Sequence, residues 1–206
     1  GSSAGTIRWA AQNVNSYGHD LPPEPRFGHV DAERWAGRRL DVQGRPDLAE
    51  LIRAIDGLRG PDDRPAIGRL RFVTSHPWDL SDRLIAALAE CPSVCEHLHL
   101  PVQSGDDTVL RRMGRQYTVE HYGERLGKIR TAVPGITIST DIIVGFCGET
   151  EAQFEATLRL LQTVRYDQVF AAAYSPRPGT PATRLPDDVP SDAKRRRLNE
   201  LPDLQE

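Results

Sequence analysis

The chain has 206 residues, 38% hydrophobic and 27% charged, which supplies enough apolar material for a core and excludes disorder as the dominant state. Its 26 basic and 29 acidic residues leave a net charge of -3, without the overall basic footprint common in nucleic-acid binders, although a local patch stays open. No apolar run approaches the roughly 18 residues of a spanning helix, the start lacks a signal-peptide pattern, and three cysteines make a poor disulfide framework, so a cytoplasmic chain away from membranes is expected.

Residues 1–5 read as a tag or a frayed start. A first strand is expected over 6–11, followed by a Pro-, Gly- and Arg-rich surface excursion over 19–46. Leu48, Leu51, Ile52, Ile55 and Leu58 then form a helical stripe capped by Asp47, with Glu50 three residues on. A second strand is expected over 70–74, and a weaker helix from Ser81 through Leu88. The third strand is expected over 97–102, and the next helix follows Thr118 with Val119, Tyr122, Leu126, Ile129 and Val133 as its stripe. The fourth strand, 136–144, precedes a helix that Thr150 and Gln153 open as a capping box, with Phe154, Leu158, Leu161 and Val164 inward. The fifth strand covers 168–174, and a basic helix containing Lys194-Arg195-Arg196-Arg197 begins at Ser191.

Strand, helix and strand in alternation force parallel pairing, so the fold class is α/β. Periodicity leaves open whether the sheet is doubly wound or part of a β/α barrel. In either, ligands bind where strands end. The first strand end carries Gln12-Asn13-Val14-Asn15-Ser16-Tyr17-Gly18, rich in hydrogen-bonding groups, with plain turn formation as the alternative. His76 ends the second, as an acid, a base or a structural tie. The third offers Gln103 and Ser104 beside Gly105, which permits close backbone approach. Asp141 on the fourth strand needs a partner or a cofactor, and the backbone amides of Gly145-Phe146-Cys147-Gly148-Glu149 are placed to face a ligand. Arg177, in Ser175-Pro176-Arg177-Pro178-Gly179, is a planar fork for a carboxylate or phosphate, or a structural tie. Cys91 and Cys95 lack further ligands at zinc spacing, so no metal site is expected.

Taken in order, the Asn13–Gly18 loop, Thr74-Ser75-His76-Pro77, His99-Leu100-Pro101-Val102-Gln103-Ser104-Gly105, Met113-Gly114-Arg115, Thr140–Phe146 and Ser175–Pro181 resemble the radical SAM methylthiotransferases, in their tRNA-modifying branch. The resemblance spans nearly all of 6–198. It implies a partial β/α, TIM-like barrel of which these are strands two to six, with S-adenosylmethionine across the strand ends. On the family pattern its contacts fall at Gln103, Ser104, Gln12, Asp141, Arg115, His99 and Arg177. No catalytic residue is assigned.

The family also implies iron-sulfur clusters, one of them held by three cysteines spaced by three and then two residues in a loop after the first barrel strand. That loop is absent from this sequence. Cys91-Pro-Ser-Val-Cys95 has the first interval only and lies elsewhere, and Cys147 stands where the family usually has proline. The chain thus reads as a core over 6–190, with 191–206 leading towards an RNA-binding domain and an amino-terminal domain also missing. The implied partner is the tRNA anticodon stem-loop, the implied reaction methylthiolation of the modified adenosine beside the anticodon, and the implied state a monomer. On this reading the segment alone is inactive. The alternative is a non-catalytic remnant that binds a nucleotide-like ligand or RNA, in which the basic run either contacts phosphates or forms a solvated helix face.

Overall fold

The structure is a computed structural model that describes residues 5–9, 17, 34–35, 38–39, 46–72 and 76–201. The chain divides into two compact units, Gly1–His99 with Glu124–Thr137, and Leu100–Gly123 with Ile138–Glu206. Both are α/β with parallel strand pairs, and no closed barrel forms among the described residues. No described helix is long and apolar enough to cross a membrane.

In the first unit, β1 (Gly5–Trp9) runs parallel to β4 (Ile67–Phe72), from Thr6 opposite Arg69 to Trp9 opposite Phe72. Leu70 and Phe72 are buried while Arg69 and Arg71 are exposed, the alternation of a strand covered on one face. Between these strands lie a two-residue antiparallel pair, β2 (Arg34–Trp35) with β3 (Arg38–Arg39), and helix α1 (Leu48–Asp56). Asp47 caps α1 by accepting the Glu50 amide at 2.8 Å. The Glu50 carboxylate does not complete the box. It accepts from Arg83 at 2.5 Å, and Asp47 accepts from the same guanidinium at 2.9 Å, which ties α1 to helix α2 (Asp82–Glu90). Leu48, Ala49 and Ile52 face inward with Leu84, Ile85, Ala87 and Leu88 of α2, each large side chain contributing about 1.5–3 kcal/mol by burial. Leu58, assigned to the stripe by periodicity, lies beyond the helix end at Gly57 and is 49% exposed. The third strand, β5, is regular only over His97–His99.

The second unit is built on β6 (Thr137–Val144) and β7 (Gln168–Ala173), parallel from Ser139 opposite Gln168 to Val144 opposite Ala173. The expected strand over 97–102 loses regularity because Pro101 has no amide to donate. Its continuation still reaches β6, through Leu100 N to Ser139 O at 2.8 Å and Gln103 N to Asp141 O at 2.9 Å. Helix α3 (Asp107–Arg112), too short for periodicity to reveal, is capped by Asp106. Helix α4 (Val119–Ala132) starts in this unit, and α5 (Glu151–Val164) carries the expected capping box of Thr150 and Gln153. Helix α6 (Ser191–Glu200) closes the described fold.

Tyr122 organises this core. It is fully buried, donates to Leu100 O at 2.9 Å and accepts from the Tyr166 hydroxyl at 3.0 Å. Burial, reinforced by Tyr166, pushes its hydroxyl far above the ordinary range and keeps it a donor. Tyr122→Phe therefore removes one buried donor and one acceptor, and is expected to lower stability by about 1–3 kcal/mol, measured as a lower urea midpoint at unchanged slope.

Candidate functional site

The end of the irregular strand forms a corner at Gln103, Ser104 and Gly105. Gln103 lies in the left-handed backbone region, φ 75°, uncommon for a residue with a side chain. Two backbone bonds hold it there, its own N–H to Asp141 O and the Ile143 N–H to its carbonyl at 3.0 Å. Ser104 is completely buried. Its oxygen lies 3.5 Å from Thr157 Oγ1 and accepts the Asp106 amide at 3.3 Å. The Gly105 amide donates to Thr157 Oγ1 at 2.9 Å. A Cβ on Gly105 would come within 2.6 Å of Ala156 O and Thr157 Cα, so its closeness serves the backbone of α5. The Asp106 carboxylate joins the same corner, capping Thr108 and Val109 and accepting from Gln153 Nε2 at 2.9 Å.

Asp141 is fixed to this corner by its carbonyl. Alternation along β6 puts Ile138, Thr140, Ile142 and Val144, all fully buried or nearly so, on one face. Asp141 and Ile143 share the less covered face and are half-buried. Arg115 follows the end of α3. Gly114, φ 75°, turns the chain there, with its amide bonded to Arg111 O and the Arg115 amide to Leu110 O. Tyr117 then donates to Val102 O at 3.2 Å and Pro101 O at 3.3 Å. Burial raises the Tyr117 hydroxyl to about 12, while the Arg115 charge opposes the rise.

Gln103, Ser104 and Asp141 therefore lie together at the corner, and Arg115 belongs to the same unit, close enough to Tyr117 for its charge to act on that hydroxyl. His99 is half-buried at the end of β5 in the other unit. Arg177 is exposed in the turn after β7, its carbonyl accepting the Thr180 amide and hydroxyl. Gln12 lies outside the described residues.

In the Gly145–Glu149 loop, expected to turn its amides to a ligand, the protein itself engages the amides of Gly145, Gly148 and Glu149. The Gly145 amide donates to Glu149 Oε2 at 2.6 Å, the Gly148 amide to Asp188 at 2.6 Å, the Glu149 amide to Phe146 O and the Thr150 amide to Gln153. Arg112 donates to Gly148 O at 2.8 Å. Burial raises the Glu149 carboxyl even though the Gly145 amide and the Arg197 charge oppose the shift.

Nor is the basic run a free surface. Lys194 and Arg197 are buried, and Arg196 pairs with Glu151 and Glu200, which leaves Arg195 exposed without such a pair among the described residues. Sequence reasoning missed Glu149, Arg112, Asp188 and Thr157. Lys194 and Arg197, three apart on one helix face, were the available signal.

The polar groups offered by Gln103, Asp141 and Arg115, an amide, a carboxylate acceptor and a guanidinium donor, are of the kinds that suit an amino acid head group and a ribose. The thiols do not suit a metal cluster. Cys147 packs with Val109 and Phe146, Cys91 is buried at the end of α2 with its thiol pushed up chiefly by burial, and no described group of three potential ligands can hold a metal ion.

Residues 39–161 match the family model of the radical SAM superfamily. The chain is 47% identical over 194 residues to a tRNA-2-methylthio-N(6)-dimethylallyladenosine synthase of Thermus thermophilus, an overlap of 94% of this chain and 36% of the relative. It is 45% identical over 195 residues to the protein of that name from Clostridium botulinum, covering 95% and 37%. The chain thus spans little more than a third of the curated relatives it matches. Among solved structures it is similar to coproporphyrinogen III oxidase of Escherichia coli, a radical SAM enzyme, with TM-score 0.57 and 19% identity over 74% of this chain and 35% of that one. It is also similar to a radical S-adenosylmethionine methyltransferase of Kitasatospora setae with cobalamin and a 4Fe-4S cluster bound, with TM-score 0.50 and 21% identity over 61% and 24%. These two likenesses support the partial TIM-like fold.

Gly105→Ala forces backbone of α5 away from the corner and is expected to cost about 1–3 kcal/mol or more, read as a lower urea midpoint. A second prediction concerns acid. Hydrogen bonds from Arg196 and then Arg197 hold the Glu151 carboxyl at about 2, below its ordinary 4.5. A depressed carboxyl stabilises the fold above its unfolded value and loses that contribution as pH falls through the folded one. Glu151→Gln should flatten the loss of stability between pH 4.5 and 2, followed by circular dichroism.

Proposed function

The chain belongs to the radical SAM superfamily, and from that premise we propose that it is the cofactor-holding core of a tRNA methylthiotransferase. The reaction is addition of a methylthio group to the modified adenosine beside the anticodon, with the anticodon stem-loop as substrate, in the cytoplasm, by a monomer. The observation that carries this reading is 43–47% identity across nearly the whole chain to proteins named for that product.

Bound at the strand ends, S-adenosylmethionine supplies the adenosyl and methyl groups of this chemistry. The residues of this chain bind and orient it. The Arg115 guanidinium is a planar fork suited to the cofactor carboxylate. Asp141 accepts from its ammonium group or ribose hydroxyls, and the Gln103 amide both donates and accepts at the corner. Ser104 serves from behind Gln103, since its hydroxyl is already engaged by Thr157 and the Asp106 amide. His99, Arg177 and Gln12 complete the proposed contacts.

The described cysteines do not fit an iron-sulfur cluster. The chain by itself is accordingly expected to bind the cofactor without turnover. Calorimetry with S-adenosylhomocysteine tests the site. Binding is expected, and Asp141→Asn, close in shape, should weaken it about tenfold by losing one charge-assisted hydrogen bond. Equal affinity in the variant would remove Asp141 from the site.

A further inference from the structure

Helix α6 grips the ends of two adjacent strands. On one face, Arg197 Nη1 donates to Glu149 Oε2 at 2.9 Å and to Glu149 O at 3.1 Å, while Nη2 reaches Glu151 Oε2 at 3.1 Å. The two side chains of the inner pair are 6% and 1% exposed. The same Glu149 oxygen accepts the Gly145 amide, one residue past the end of β6. One helical turn earlier, Lys194 donates to Tyr174 O at 3.3 Å, one residue past the end of β7, and pairs with Asp187. Its aliphatic stem occupies the space that a Cβ on Gly145 would take. The Tyr174 amide in turn bonds to Val144 O at 2.8 Å. A guanidinium and an ammonium buried to this degree contribute through the geometry they enforce, because a buried pair adds little net stability over an apolar one.

We propose that Arg197 and Lys194 are positioning residues: α6 clips the carboxyl ends of β6 and β7 together and so sets the height of Asp141, four residues before Gly145, at the cofactor site. The inward half of the basic run thereby serves the cofactor site and is not an RNA phosphate contact. The ligand part of this inference rests on the function proposed above, whereas the mechanical part does not.

Hydrogen exchange and calorimetry on the same 206-residue chain separate the two. In Arg197→Met, exchange at the Gly145 amide should accelerate at least about tenfold more than at Leu161 in the last turn of α5, and S-adenosylhomocysteine should bind about tenfold more weakly, each matching the loss of a charge-assisted bond. Arg197→Lys keeps a point charge without the fork. It should lie between wild type and Arg197→Met, and it decides the matter if the methionine variant does not fold. Equal acceleration at Gly145 and Leu161 means general loosening and overturns the clip. Local acceleration with unchanged affinity overturns the positioning role. If the wild-type chain binds no S-adenosylhomocysteine, the cofactor reading falls with the positioning role, and exchange alone judges the clip.

Discussion

A carboxylate taken out of water must be met by donors from its surroundings, and Glu149, with a side chain 1% exposed, obtains them from its own loop and from a distant helix. Its oxygen accepts the Gly145 amide and the Arg197 guanidinium together. That single requirement folds the loop after β6 back on itself, draws α6 against it and brings Lys194 to the end of β7. Removing either partner of such a pair strands the other charge, typically at a cost of about 3–5 kcal/mol, so the arrangement is held as a unit.

A division of labour between neighbouring loops follows from this closure. The loop at 145–149 commits its Gly145 and Glu149 amides within itself and its Gly148 amide to Asp188, and acts as a frame. The corner at 103–105 uses α5 differently. Ser104 and Gly105 are consumed by Thr157 and by close backbone packing, while the bonds to β6 hold Gln103 in a backbone region that a free chain would leave. Gln103 and the Asp141 backbone are thereby held in fixed register, the kind of rigid support that the proposed binding site requires.

Much of the frame was legible because it is local. Thr150 and Gln153 announce a capping box in four residues, the Leu48–Ile55 stripe announces a helix, and the run from Ile138 to Val144 announces a strand. The ordered loop motifs pointed to the radical SAM superfamily, whose family model matches residues 39–161. What could not be read depends on contacts between distant positions. Nothing near Arg197 in the chain says that Glu149, 48 residues away, will bury it, and the basic run looked like a surface for that reason. Glycines misled similarly. Gly105 and Gly145 signal close approach, but only the fold shows that the approaching groups are α5 and Lys194. Leu58 failed at the opposite scale, since a stripe does not mark where Gly57 ends the helix.

The central claim is that the cofactor site lies at the Gln103 corner, beside a loop whose Gly145, Gly148 and Glu149 amides are already bonded within the protein. Titrating the isotopically labelled chain with S-adenosylhomocysteine while recording amide and side-chain chemical shifts tests it directly. The account predicts that shifts concentrate at Gln103, Asp141 and Arg115, with the amides of Gly145, Gly148 and Glu149 nearly unmoved. Saturable shifts centred on those three amides, with the Gln103 corner silent, would contradict it.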